Sequence, residues 1–546
     1  MLRSYLFLCL LPLLASCAQF GSHQPDHAEP YSQSVAGDDS LLAYDYAQHL
    51  QNNNQQAVQS AQQQGAQHSD DIWDRIRDGF AMGDFEHARI QRQLDWYARH
   101  PDYLNRVAER ALPYMHYIVE TLEQNGIPTE LALLPIVESA FKPFAYSHGR
   151  ASGIWQFIPS TGRRYGLVQN WWYDGRRDVY AATQSAVRLL LNLKRDFKGD
   201  WLLALAAYNS GSGTVKRAVR RNKRRNGAVD FWSLNLPKET RAYAPKLLAL
   251  KKIIANPEKY GLDLTPIPNK AYFERVEIGS QIDLAVAAEM AEIDLDELYE
   301  LNPGYNRWAT APNGPNYLLL PLDKSAQFRE RLAKLPEQDR IRWVRHKIRS
   351  GETLSSIADK YNISIKTIKR VNHIRGHRLS IGHALTIPVA SRSLHSYKLS
   401  ANQRKKQLQN QPRRGVKVKH TVQPGDTFWD LAQTHRVGVR QLARWNGMAP
   451  RDPLSPGQKI VIWSRAGANT SQHDPNAVSA PPRRKLTQRI GYKVRRGDSL
   501  ARISRKFKVS INQLIKWNSS RLRKDSLLRP GQRLTLFVDI MRQSGS

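Results

Sequence analysis

A glycine and an asparagine recur 21 positions apart three times in the C-terminal part of this 546-residue chain: Gly351 and Asn372, Gly425 and Asn446, Gly497 and Asn518. An internal repeat constrains architecture more than composition does, because each copy must close a small core of its own and the copies lie in series. His346-Lys347-Ile348-Arg349-Ser350-Gly351-Glu352-Thr353-Leu354 aligns with His420 to Phe428 and with Tyr492 to Leu500. Each copy ends on a second glycine (Gly382, Gly457, Gly531) followed by an alternating strand such as Leu385-Thr386-Ile387. Between them Leu354, Ile357, Ala358, Tyr361, Ile365 and Ile368 have helical spacing, so each unit reads as strand, two short helices, strand. The units fall at 345–390, 419–464 and 491–538. The polar, basic, Pro-containing stretches between them, about 390–419 and 464–489, read as flexible linkers.

Upstream the pattern changes. At about 150 residues per domain the length gives three to four domains. Residues 71–265 carry apolar residues at helical spacing, as in Leu104, Val107, Ala108, Ala111, Leu112, Met115, Ile118, Val119 and Leu122, with almost no strand alternation. This is an α-helical domain, punctuated at Gly126-Ile127-Pro128, Lys142-Pro143 and Ser210-Gly211-Ser212-Gly213, with one helix starting at Thr129 to Glu130 and running to about Ser139. Residues 270–325 hold a fainter fourth copy of the repeat, with Gly279, Leu298, Asn302 and Leu318-Leu319-Leu320. Its Gly-to-Asn interval is 23 and no acid follows the glycine, so it reads as a degenerate module or a spacer.

Charge and cysteine usage bear on location. Residues 331–546 hold 46 Lys and Arg against 11 Asp and Glu, a net of +35, while residues 1–330 hold 36 against 37. Such a field attracts nucleic acid, anionic lipid or anionic wall polymer. The two cysteines, Cys9 and Cys17, leave no structural disulfide and no Cys-based metal site for the folded part. Residues 1–16 show Arg3, an apolar run and small Ala15-Ser16, a signal-peptide layout too short for a bilayer that needs roughly 20 apolar residues. Leu14-Ala15-Ser16-Cys17 resembles a bacterial lipobox, which implies lipidation of Cys17; Ala18 and Gln19 after it imply the outer membrane. The Gln- and Asn-rich remainder of 17–70 reads as a flexible tether. Export disfavours nucleic acid as the partner.

The densest chemical signal is Ala132-Leu133-Leu134-Pro135-Ile136-Val137-Glu138-Ser139-Ala140-Phe141, where one carboxylate closes an apolar run. On spacing alone a solvated helix end is the simpler reading of Glu138. A carboxyl desolvated by such neighbours would instead hold its proton near neutral pH, as protonation of a glycosidic oxygen requires. Four ordered motifs decide between these readings: Glu138-Ser139; Ser147, Gly149, Ala151 and Gly153-Ile154-Trp155-Gln156-Phe157; Ala207-Tyr208-Asn209-Ser210-Gly211; and Glu239-Thr240-Arg241-Ala242-Tyr243. Together they resemble the goose-lysozyme-like lytic transglycosylases over roughly residues 115–260.

The resemblance implies a lysozyme-like helical domain in which Glu138 is the general acid and then base, with Ser139 and Tyr243 orienting it. It implies that Ser147, Gln156, Tyr208 and Asn209 line a saccharide groove. Singly, Asn209 fits a helix cap and Tyr243 a core aromatic. Ile154-Trp155 replaces the Leu-Met of many relatives, so substrate contacts there are expected to differ. Trp171-Trp172-Tyr173 reads as a sugar platform or as core. The three repeats resemble LysM modules, which bind N-acetylglucosamine-containing glycans such as peptidoglycan. The resemblance puts glycan binding at Gly351, Glu352, Thr353 and Asn372, at Gly425, Asp426, Thr427 and Asn446, and at Gly497, Asp498, Ser499 and Asn518.

The implied activity is cleavage of the β-1,4 bond between N-acetylmuramic acid and N-acetylglucosamine in peptidoglycan, without cofactor or metal. The motifs supply one carboxylate in place. Asp174 and Asp178 lie beside Arg176 and Arg177, where ion pairing is the simpler reading, and Glu239 serves no catalytic role in the family. A 1,6-anhydro product is therefore expected. A lysozyme-type hydrolase and a non-catalytic wall-binding lipoprotein are the alternatives.

Overall fold

The computed structural model describes residues 69–464 and, beyond them, 487–494, 498–507, 509, 511–518, 522, 528 and 530–539. Cys17, the expected signal peptide, nearly all of the tether, most of the second linker and Gly497 lie outside the described residues. The chain forms two units, Met1–Ala466 and Gly467–Ser546.

The first unit opens with helices α1 (Ile72–Asp78), α2 (Ala88–Ala98) and α3 (Pro101–Gln124). A 3-10 turn, Thr129–Leu133, runs straight into α4 (Leu134–Ser139). Then follow α5 (Pro159–Arg164), α6 (Val179–Asp196), α7 (Trp201–Ser210), α8 (Ser212–Lys223) and α9 (Lys238–Ala255). The apolar stripe anticipated on α3 is its buried face, with Leu112 only partly covered. Asp178 and Asp200 start α6 and α7 by accepting the N–H groups of Ala181 and Leu203, satisfying donors a helix start leaves open. The chain before α2 is tied down by Glu130, which is buried and accepts the N–H groups of Ala81 (3.1 Å) and Met82 (2.8 Å) while facing Lys251 at 3.6 Å.

Small two-stranded antiparallel sheets follow. The first pairs β1 (Phe273–Glu277) with β2 (Tyr317–Pro321) around α10 (Leu284–Ala291) and α11 (Leu295–Leu301), and α12 (Leu322–Lys334) trails it. Next come β3 (Arg342–Lys347), α13 (Leu354–Tyr361), α14 (Ile365–Val371) and β4 (Ala384–Val389), with Val344 opposite Ile387. After α15 (Ala401–Asn410) the pattern recurs as β5 (Val416–Thr421), α16 (Phe428–Thr434), α17 (Val439–Trp445) and β6 (Lys459–Ser464). The second unit repeats it as β7 (Thr487–Lys493), α18 (Leu500–Phe507), α19 (Ile511–Trp517) and β8 (Arg533–Asp539).

One asparagine closes every copy. The Asn372 amide donates to the Thr386 carbonyl (2.8 Å) and accepts the Thr386 N–H (2.7 Å), clamping the end of α14 to strand β4. Asn446 does the same to Val461, Asn518 to Thr535 and Asn302 to Leu319. The region around Asn302 is thus built on the same plan. Its longer interval is taken up between Gly279 and Leu284, before the first helix, and from there both helices and the asparagine keep the register of the other copies.

The expectation of a flexible linker at 390–419 is corrected. That stretch carries α15, and Tyr397, 1% exposed, donates to the Asp283 carboxylate (2.8 Å) while the Ser391 N–H reaches its other oxygen (2.7 Å). Asp283 also caps α10. One apolar core therefore runs through the module around Asn302, the copy at 345–390 and Tyr397, whereas the copies at 419–464 and 491–538 have cores of their own. A few anchors, Leu394, Tyr397 and Leu399, do this within a polar, basic segment that has no periodicity to reveal them.

Candidate active site

Glu138 occupies the last turn of α4, where the chain reverses through two non-glycine residues in the left-handed region, Ala140 (φ 52°) and Phe141 (φ 56°). Each such residue costs about 1–3 kcal/mol and persists only where the surroundings hold it. Here Phe141 is fully buried and Arg110 donates to the Ala140 carbonyl at 2.8 Å. The turn leaves the Glu138 carboxyl half-buried under α9, where the Tyr243 phenol donates to its Oε1. Burial pushes the carboxyl up to about 7; the Tyr243 hydrogen bond and the Lys246 charge pull it down, and the nearby Glu239 charge adds to the rise. A solvated helix end would not do this, so the desolvated reading of Glu138 describes its environment.

Among the other motif residues Tyr208 meets Tyr243 directly, and Ser139 and Gln156 hold the turn around Gly153 through its backbone carbonyls. Tyr208, on α7, stacks on Tyr243 (ring centroids 6.4 Å, 18° between planes) and donates to the Trp155 carbonyl at 2.8 Å. Ser139 donates to the Ile154 carbonyl (3.1 Å), not to Glu138, so it positions the neighbouring turn instead of orienting the acid. Gln156 sits at φ 50° and donates to the Gly153 carbonyl at 2.7 Å. Gly153 cannot carry a side chain: at φ 81° a Cβ would lie 1.9 Å from the Arg176 carbonyl oxygen. Asn209 is held by the Thr240 hydroxyl at 2.7 Å, a partner whose role nothing in the motif spacing announced. Ser147 is apart from this cluster. Its hydroxyl accepts the Ala151 N–H (2.9 Å) and shapes the loop that leads into the Gly153 turn.

Several expectations change. Ile154 and Trp155 are core residues, the indole donating to Thr183 at 2.9 Å, so their side chains pack inside the domain. Trp171-Trp172-Tyr173 is a joint and no sugar platform: Trp172 packs edge-on against Trp308 (5.8 Å), Tyr173 lies tilted against Tyr305 (5.4 Å), and Arg307 lies over Trp171 at 3.9 Å. Asp174 is ion-paired to Arg176 (2.7 Å), which holds it below the usual carboxylate range despite its burial. Asp178 is not ion-paired; it accepts the hydroxyls of Tyr173 (2.8 Å) and Tyr317 (2.9 Å) and the Ala181 N–H (2.8 Å).

In the repeats, the residues expected to touch glycan mostly hold the modules together. The asparagines are committed to their clamps, and Asn446 is fully buried. Glu352 takes His346 (2.9 Å) and the Arg349 N–H (2.8 Å), Asp426 takes His420 (2.7 Å) and the Gln423 N–H (2.8 Å), and Asp498 takes Tyr492 (2.7 Å). Thr353, Thr427 and Ser499 accept N–H groups in the first turn of their helices. Gly351 (φ 79°) and Gly425 (φ 93°) supply left-handed turns with open space around them. The exposed apolar groups are elsewhere, at Ile381 beside the second glycine, at Trp429 on α16, at Trp343 and Val416 on the first strands of two copies and at Ile511 on α19.

Residues 116–231 match the family described as the transglycosylase SLT domain. Residues 272–337 match the LysM-like domain of lytic transglycosylase MltD, and 346–388, 420–463 and 492–537 match the LysM domain. Membrane-bound lytic murein transglycosylase D of Escherichia coli (strain K12) is 38% identical over 407 residues, covering 72% of this chain and 85% of that protein. The chain belongs to the membrane-bound lytic murein transglycosylase D family. A protein of Alteromonas sp. (strain M-1) named for tributyltin chloride resistance is 41% identical over 138 residues, 24% of this chain and 67% of its own length. The cell wall-binding protein YocH of Bacillus subtilis (strain 168) is 30% identical over 99 residues, 18% of this chain and 28% of its own. In this member of the transglycosylase D family the SLT match contains Glu138, Gln156 and Tyr208.

Proposed function

We propose that this chain is a peptidoglycan lytic transglycosylase with Glu138 as its single acid and base. The observation that carries the reading is a carboxyl raised by burial to about 7 and held by Tyr243, in a chain of the transglycosylase D family. A group titrating there holds a proton at neutral pH and still releases it readily. Glu138 protonates the oxygen between N-acetylmuramic acid and N-acetylglucosamine as the C1–O bond breaks. The substrate's N-acetyl oxygen stabilises the cationic C1. The resulting carboxylate then removes the C6 hydroxyl proton while O6 bonds to C1, which regenerates the acid and leaves a 1,6-anhydro end. Water is not consumed. The commitment of Asp174 to Arg176 and of Asp178 to two tyrosines removes both as the second acid that hydrolysis needs at about 5–9.5 Å, and Glu239, exposed and close enough to raise Glu138, is the carboxylate whose amide variant separates the two mechanisms.

Ser147, Gln156, Tyr208 and Asn209 contribute to the walls of the saccharide groove, and Ser139 and Tyr243 fix its floor. The LysM modules hold the enzyme on glycan strands, and three on one chain raise the rebinding rate. Cys17 carries a lipid that anchors the chain in the outer membrane facing the periplasm, with 17–70 as tether. Among the described residues no helix is long and apolar enough to cross a membrane. The test is Glu138→Gln, which keeps the size and removes the titrating proton: wall binding should persist while cleavage falls by about 10²–10⁴-fold or more. Full cleavage by a folded Gln variant would refute the assignment.

A further inference from the structure

Between the helical domain and the LysM module at 419–464 lies a chamber of about 1020 Å³, walled by the loop at Phe144, Tyr146, Ser147 and His148, by α15 and by the region from α17 to Asp452. Its two sides are fastened at one point. The Asp452 carboxylate takes Arg150 (2.7 Å) and the Tyr146 hydroxyl (3.0 Å) from the helical domain and the Ala449 N–H (2.8 Å) from its own module.

The lining is strongly cationic: Arg176 and Arg177 from the helical domain, Arg404 and Lys405 from α15, Arg440 and Arg444 from α17. Its two carboxylates, Asp174 and Asp452, are already paired with Arg176 and Arg150. Among the described residues the other five cations form no ion pair. Two are fixed by neutral partners instead. Arg177, buried, donates to the Pro303 carbonyl (2.9 Å) and to Asn306, and Arg404 lies over the Phe144 ring at 4.1 Å while donating to the Leu399 carbonyl. Burial and the neighbouring guanidiniums of Arg177 and Arg307 hold Arg404 well below its usual range, and burial lowers Lys405. Asp174 also acts on Arg177 and Arg404, but it is already paired with Arg176, so the cations outnumber the carboxylates, and an incoming anion relieves the cost of holding them out of water.

We propose that this chamber binds the carboxylates of the peptide stems borne by the glycan substrate, so that the second LysM module helps to select peptide-bearing strands. Planar guanidiniums match carboxylates by paired hydrogen bonds. The volume is at the upper end of small-molecule sites and suits a peptide better than a lone ion. The loop that walls the chamber is the one that leads to the active site: Tyr146 bridges to Ser152, Ser152 to Phe157, and the Gly153 turn between them presents Gln156 and packs on Ser139. A stem on a sugar held near Glu138 is thus the anion closest at hand. This inference rests on the reading of the chain as a peptidoglycan transglycosylase.

The test uses the full chain carrying Glu138→Gln, which separates binding from turnover. Two probes are titrated: the N-acetylglucosaminyl-N-acetylmuramoyl disaccharide with a tetrapeptide stem, and the same disaccharide with the stem removed. Arg440→Glu with Arg444→Glu, both on exposed positions, should weaken the stem-bearing probe by about five- to thirtyfold and leave the bare disaccharide unchanged. Lys405→Gln should act in the same direction on the same probe. The difference between probes should shrink as ionic strength rises from about 0.01 M to about 1 M. Equal affinity for both probes, or an equal loss on both in the variants, would overturn the proposal. Cleavage of stem-free glycan by the Arg440→Glu/Arg444→Glu chain with Glu138 restored tests the transglycosylase reading separately.

Discussion

Tyr243 on α9 donates its phenolic hydrogen bond to Oε1 of Glu138 on α4, joining residues 105 positions apart in the sequence. Two effects meet at that carboxyl, since burial raises it and the phenol lowers it, and burial wins, leaving it at about 7. The first step of the proposed reaction needs the protonated form, so activity should fall on the alkaline side as Glu138 loses its proton. Tyr243→Phe removes the lowering influence. The alkaline limb of the pH–rate profile should move upward, with a loss of about ten- to a hundredfold at the optimum, the range of one hydrogen bond to a charged group. A downward shift of the limb would contradict the geometry.

The same carboxyl should leave a mark on stability. Its folded-state value lies above the ordinary glutamate value of 4.5, so the stability tied to its protonated form is complete below about 4.5 and is lost as pH rises through about 7. Glu138→Gln, which stays neutral, should therefore match the parent in thermal midpoint near pH 4 and exceed it near pH 8. Thermal unfolding at the two pH values checks this, and a Gln variant less stable at pH 8 would reverse the sign.

Gly153 is required by the turn that presents Gln156. With φ at 81° and a Cβ 1.9 Å from the Arg176 carbonyl oxygen, Gly153→Ala must displace backbone. A loss of about 2–4 kcal/mol in unfolding free energy is expected, with cleavage reduced further than the population of folded protein alone explains. A parent-like denaturant midpoint would show that the turn tolerates a side chain.

The site and the repeats were legible in the sequence to different depths. Glu138, Tyr208 and Tyr243 could be singled out because each sits in a short motif whose order along the chain restricts the fold. The repeat interval likewise marked Asn372, Asn446 and Asn518, but the glycan contact that the LysM resemblance implied for them is not what the geometry gives: they clamp helix to strand. An asparagine at a helix C-terminus can reach sideways to a strand, and the partner, Thr386 for Asn372, is set by packing that no local pattern encodes. The joint formed by Trp172, Tyr173, Trp308 and Tyr305 was hidden for a similar reason, since an aromatic cluster has the same composition whether it meets a sugar or another domain.

The clamp predicts a local defect. Asn446→Ala strands the N–H and carbonyl of Val461 in a buried position, each worth about 1–3 kcal/mol, so the module at 419–464 should lose most of its stability. Hydrogen exchange should speed up across β5 and β6 while α3 and α9 of the helical domain keep their protection. Uniform acceleration across the chain would contradict an independent core in that module.

The central claim is that one carboxylate and the substrate's own C6 hydroxyl complete the reaction without water. Its direct test is mass spectrometry of the fragments released from purified peptidoglycan by the full chain. Ring closure predicts N-acetylmuramoyl ends one water lighter than reducing ends, in the 1,6-anhydro form, and their disappearance with Glu138→Gln. Reducing ends as the main product, lost when Asp174, Asp178 or Glu239 is made an amide, would show hydrolysis by two carboxylates and contradict the account.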